Sequence, residues 1–132
     1  GFVFPRMMSA FVALDEATRD NGCLQVLRGS HLMGRLDHQQ IGKQTGADPE
    51  RVAQVEGLFE RVYVEMKPGD VLFFHCNLFH SSAANLSDEH RRSFIICYNA
   101  LANPQLRDQK TFEERPCPVS ADDAILKAVV VV

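Results

Sequence analysis

The sequence has no Cys-x-x-Cys pair, no excess of basic charge, no internal repeat and no long apolar run. Each absence excludes something. Four isolated cysteines, at 23, 76, 97 and 117, make neither a zinc ribbon nor a thioredoxin-like redox motif. Cys23, Cys76 and Cys97 sit within apolar runs, where a free thiol packs as a small hydrophobe, so they are expected to be buried and reduced, in the cytoplasm. A formal net charge of −3 argues against a nucleic-acid or anionic-membrane surface. A membrane helix needs roughly 20 apolar residues, and the terminal AVVVV falls far short. What remains is ordinary globular material, 132 residues with 45% hydrophobic and 23% charged side chains. That length fits a single domain, 1–132, with a real core.

The pattern along the chain is mostly β. Phe2 to Leu14 reads as one or two strands, with Pro5 at an edge or entry. Arg19-Asp20-Asn21-Gly22 is a turn, because Asn-Gly readily supplies positive φ. Cys23 to Leu27 is the next strand, and a polar loop is expected from Gly29 to about Gly46. Asp48 reads as an N-cap with Pro49 at the first helical position, and Val52, Val55, Leu58 and Phe59 form an apolar stripe, predicting a helix over about 49–59. Arg61 to Met66 alternates, Lys67-Pro68-Gly69-Asp70 turns, and Val71 to Phe74 is a continuous apolar strand. A short strand at 78–82 and a last core strand from Arg92 to Tyr98 follow. Ser120 to Asp123 resembles a capping box before a short C-terminal helix. Short strands separated by turns, with one or two short helices, predict an antiparallel sandwich or jelly roll.

The stretch from Gly69 to Asn99, GDVLFFHCNLFHSSAANLSDEHRRSFIICYN, concentrates the chemistry. A strand carries His80, and Arg91 opens the next strand eleven residues later. Strand alternation places His80 and Ser82 on one face, and Arg91, Ser93, Ile95 and Cys97 on one face of the other strand. A neutral imidazole can bind a metal, and an arginine can clamp a carboxylate. Each has a plain structural alternative: His80 as a hydrogen-bonded strand end, and Arg91 as a surface residue paired with Asp88 or Glu89. The adjacent Arg92 must point to the opposite face, so one arginine of the two is expected in solvent.

NGCLQVLRGSH at 21–31, KPGDVLFFH at 67–75 and the His80-to-Arg91 spacing in HSSAANLSDEHR together resemble the phytanoyl-CoA dioxygenase family. The resemblance runs from about Met8 to Asn99. It implies a mainly β double-stranded β-helix, a cupin-like jelly roll, and dependence on Fe(II) and 2-oxoglutarate. It implies that His80 is an iron ligand and that Arg91 holds the remote carboxylate of the oxo-acid, assisted by Ser82, with Phe11 bordering the oxo-acid. It also offers His38 a substrate-side role, against the plainer reading of an exposed loop histidine. The expected reaction is oxidative decarboxylation of the oxo-acid to succinate, coupled to hydroxylation of a small molecule. Relatives act on acyl-CoA thioesters, small osmolytes, amino acids and natural products.

One part of the family pattern is missing. Two further iron ligands come as His-x-Asp, and none of the five histidines, at 31, 38, 75, 80 and 90, is followed two residues later by Asp or Glu. The expected position of the pair lies just before Gly1. The chain therefore reads as the C-terminal portion of an oxygenase domain, lacking its N-terminal strands and inactive alone, with an exposed sheet edge able to pair with a second copy. Other readings stay open. A His75–Cys76–His80 site would need a turn to defeat the opposite facing of His75 and His80. His31 reads as a loop anchor and His90 as solvated. A related halogenase would differ only in the missing region, and a non-catalytic jelly-roll binding module would have lost the metal. The residues encoded just upstream of Gly1 discriminate among the three.

Overall fold

The computed structural model describes residues 2–34, 36–42 and 44–106. Among the described residues there are eight strands: β1 (Met7–Ala13), β2 (Leu24–Leu27), β3 (His38–Ile41), β4 (Gln44–Ala47), β5 (Arg61–Val64), β6 (Val71–His75), β7 (His80–Ser82) and β8 (Ser93–Asn99). An α-helix, α1 (Pro49–Glu56), lies between β4 and β5. The strands form two antiparallel three-stranded sheets, β6-β1-β8 and β5-β2-β7, and a β3-β4 hairpin. The chain passes repeatedly between the two sheets, giving the mainly β, cupin-like jelly roll expected from the sequence.

Register shows which side chains face inward. Phe11 lies opposite Leu72 and Ile95, and Ser9 opposite Phe74 and Cys97, so these residues share one face of the first sheet. In the second sheet Leu24 lies opposite Val64 and Ser82, and Val26 opposite Val62 and His80. Phe11, Ala13, Cys23, Leu24, Met66 and Phe74 meet between the sheets as the buried core, with Val26, Val64 and Leu72 packed against them. Fully burying a side chain such as Leu24 or Phe11 stabilises the fold by about 1.5–3 kcal/mol. An antiparallel bridge between Ala17 and Met66 ties the loop after β1 to the chain after β5, with bonds of 2.8 and 2.9 Å. The other face of β6-β1-β8 is also apolar: Val71, Phe73, Met8 and Phe94 are exposed there.

Three sequence expectations are corrected. The polar loop before Gly46 contains the β3-β4 hairpin, turned at Gly42, whose φ of 59° suits glycine. The helix ends at Glu56, not near residue 59. Its start is as read, with Asp48 accepting from the Glu50 and Arg51 N–H groups, but Gly57 caps it and Leu58 is 74% exposed. The thiols are free among the described residues, yet only Cys23 is buried: Cys76 is half-buried and Cys97 exposed, because Cys97 lies on the edge strand β8. Cys117 and the Ser120–Asp123 capping box lie outside the described residues.

Candidate functional site

Between the sheets a cavity of about 570 Å³ opens, and four residues singled out from the sequence line it: Phe11, His80, Ser82 and Arg91. Phe74, Leu24 and Ile95 supply apolar wall, and Ser93 adds a hydroxyl. The site follows from the alternation in β7 and β8, because His80 and Ser82 share the face that Val26 and Leu24 turn to the core.

His80 is held at both ends of its approach. The hydroxyl of Ser30, which is fully buried, accepts the Phe79 N–H at 2.9 Å, and Leu27 N–H donates to the Phe79 carbonyl at 3.0 Å. The residue before His80 is thereby pinned to β2 and to the turn that follows it. His80 Nδ1 lies 2.8 Å from the Leu78 carbonyl. A carbonyl only accepts, so Nδ1 carries the proton, and the Nε2 lone pair of the neutral ring is left for a Lewis acid. The Phe74 ring lies 5.0 Å from the His80 ring, tilted by 56°, and supports it from the core side.

The two arginines separate as their alternation requires. Arg92 forms an ion pair with Asp15 and is 69% exposed. That guanidinium holds the Asp15 carboxyl far below the usual carboxylate range, and Asp15 in turn raises Arg92. Arg91 is half-buried, and its Nε donates to the Asn21 backbone carbonyl at 2.9 Å. Among the described residues no carboxylate forms an ion pair with Arg91, so the Asp88 or Glu89 pairing is not formed. With Nε engaged, the two Nη groups form the end-on fork suited to a carboxylate.

The remaining histidines fall outside this group. His75 faces the opposite side of the first sheet, opposite Met8, and its Nδ1 accepts the Asn77 N–H at 3.1 Å. Among the described residues no three His, Cys, Asp or Glu side chains come together as a metal site, so His75, Cys76 and His80 do not combine. His31 packs on His75 with ring centroids 5.8 Å apart, while the loop anchor is its neighbour Ser30. His38 is exposed on β3 opposite Ala47, which lines the cavity, but His38 itself does not line it. His90 is exposed. Sequence reasoning missed Ser30 and Asn21. The signal for both is a polar residue that the fold buries, and this becomes visible only once their partners Phe79 and Arg91 are placed.

The model of the phytanoyl-CoA dioxygenase (PhyH) family matches residues 2–93. The chain belongs to the phytanoyl-CoA dioxygenase family. A probable phytanoyl-CoA dioxygenase of Caenorhabditis elegans is 36% identical, covering 69% of this chain and 30% of that protein. The ectoine dioxygenase of Sphingopyxis alaskensis is 34% identical, covering 86% of this chain and 41% of that protein. Among solved structures, EctD from S. alaskensis with 2-oxoglutarate and 5-hydroxyectoine superposes with a TM-score of 0.61 at 33% identity, covering 74% of this chain and 32% of that one. The same protein has also been solved with bound Fe. The chain spans about a third of the length of the phytanoyl-CoA dioxygenase relatives it matches.

Proposed function

We propose that this chain carries the His80 and Arg91 half of an Fe(II)/2-oxoglutarate centre, in an oxygenase that hydroxylates a small molecule. The observation that carries the reading is the convergence of a proton-defined imidazole, a forked guanidinium without an acidic partner among the described residues, and the Ser82 hydroxyl on one apolar-walled cavity. The donor chemistry fits. His80 Nε2 suits one coordination position of a two-histidine, one-carboxylate iron site, and the Arg91 fork suits the distal carboxylate of a five-carbon oxo-acid. When bound, iron and oxo-acid supply activation of O2 coupled to oxidation of the oxo-acid to succinate.

The chain's own residues then have separate tasks. His80 offers Nε2 and is kept in that tautomer by Leu78. Arg91 holds the oxo-acid by its far end, and Ser82 adds a hydrogen bond to the same carboxylate. Phe11 borders the oxo-acid and, with Phe74 and Ile95, keeps bulk water from it. His38, one strand beyond the cavity wall, takes a substrate-side role. His80 is the one iron ligand assigned within these 132 residues, so the chain alone lacks turnover. Supporting the cytoplasmic, reducing setting, Cys23, Cys76 and Cys97 are free thiols. The edges of the first sheet, β6 and β8, are where a second copy would pair.

The test is anaerobic titration of the whole protein, loaded with Fe(II), with 2-oxoglutarate. Saturable binding, followed on admitting O2 by succinate release, is expected. Tight binding of neither iron nor oxo-acid by the whole protein would leave the jelly-roll binding module as the correct description.

A further inference from the structure

We infer that the Asn21–Gly22 turn is a positioning element that aims the Arg91 guanidinium. The inference rests on the assignment of Arg91 as the oxo-acid clamp. Asn21 is 5% exposed, and its side chain is spent on its own loop. Its Oδ1 accepts the Thr18 N–H at 2.8 Å, its Nδ2 donates to the Glu16 carbonyl at 2.8 Å, and its N–H donates to Thr18 Oγ1 at 3.3 Å. These bonds fix the loop so that the Asn21 carbonyl meets Arg91 Nε at 2.9 Å. A neutral carbonyl directs a guanidinium without cancelling its charge. A carboxylate in the same place would compete with an incoming anion.

Gly22 carries the second half of the argument. Its φ is 79°, and a Cβ there would lie 2.5 Å from the Ala83 carbonyl oxygen and 2.9 Å from that of Ala84. The turn thus abuts the backbone just after Ser82, while its other residue holds Arg91. Two consecutive residues touch both ends of the connection between β7 and β8, and so set how the clamp stands relative to the His80 strand.

The experiment compares two oxo-acids on the whole protein, anaerobically, with Mn(II) in place of Fe(II), by calorimetry. One is 2-oxoglutarate. The other is 2-oxopentanoate, which has the same oxo-acid head and no distal carboxylate. For Asn21→Ala, 2-oxoglutarate binding should weaken roughly tenfold or more while 2-oxopentanoate binding changes by less than about twofold, as loss of a charge-assisted contact requires. Arg91→Ala should show the same selectivity, and the double variant should be no weaker than Arg91→Ala alone. Thr18→Val removes the hydroxyl that accepts the Asn21 N–H without adding charge, should show the same selective loss, and serves if Asn21→Ala does not fold. Gly22→Ala should share the selective loss. Equal weakening for both acids, or additive losses in the double variant, would overturn the positioning role. A wild-type protein with no preference for 2-oxoglutarate would overturn the clamp assignment itself.

Discussion

Arg92 grips Asp15 side-on, with Nε donating to Oδ2 at 2.8 Å and Nη2 to Oδ1 at 2.9 Å, and the Arg92 backbone N–H adds a third bond to Oδ2 at 2.7 Å. This grip ties the start of β8 to the end of β1, where Leu14 N–H also donates to the Arg92 carbonyl at 3.0 Å. It also commits Arg92 to the outside, which leaves Arg91 for the cavity.

The pair has a pH signature. The Arg92 hydrogen bonds lower the Asp15 carboxyl in the folded chain, so its contribution is present above the ordinary aspartate value and is lost as pH falls through the folded value. Thermal melts should show Asp15→Asn less stable than wild type at neutral pH. The gap should persist below about pH 4, where an unperturbed aspartate is already protonated. It should narrow with added salt, since Arg92 is exposed. A gap that closes already near the ordinary aspartate value would show that the carboxyl is not held down.

The two neighbouring arginines should separate cleanly in binding. In the whole protein Arg91→Ala should weaken 2-oxoglutarate binding by roughly 2–4 kcal/mol, as for truncation of one partner of a desolvated charge pair. Arg92→Ala should leave that affinity in place and act on the melting temperature instead. The reverse result would make Arg92 the clamp.

The 132-residue chain by itself should show no tight Fe(II) binding and no 2-oxoglutarate turnover, since one imidazole is a weak site for iron. Stoichiometric binding in a calorimetric titration would force a different ligand set, with His38 and His75 first to be replaced.

Ser30→Ala removes the acceptor of the Phe79 N–H in a fully buried place. An unsatisfied buried donor costs about 1–3 kcal/mol, and chemical denaturation should read a loss in that range. No measurable loss would mean that Phe79 is held by its β2 contact alone.

Thiol labelling of the native protein should rank the cysteines by exposure. Burial, reinforced by Glu65, pushes the Cys23 thiol upward, so Cys23 should label last and Cys97 well before it. Comparable rates would show that the core between the sheets opens readily.

Much of the fold was legible because strand alternation is a strong local signal. Val62, Val64 and Met66 on one face, the Asp48-Pro49 helix start and the Lys67–Asp70 turn all stand where the pattern puts them. The β3-β4 hairpin was not legible, because His38–Ile41 is exposed along its whole length and carries no apolar alternation. The helix end was overrun because Leu58 extends the apolar stripe past Gly57 while facing solvent. At the site, the shared faces of His80 with Ser82 and of Arg91 with Ser93 follow from period two. Their convergence on Phe11 depends on how two sheets stack, which local pattern does not encode.

Among the described residues, the middle of the connection from Ala83 to His90 is bonded only within itself, through Asn85 Nδ2 to the Glu89 carbonyl at 2.7 Å and Ser87 Oγ to Asn85 Oδ1 at 2.7 Å, and Leu86 at its tip is 89% exposed. With both ends braced at residues 21 and 22, the tip is a natural splice point. A peptide tag grafted at Leu86 should therefore leave β7 and β8 in place, because the tip itself packs on neither strand.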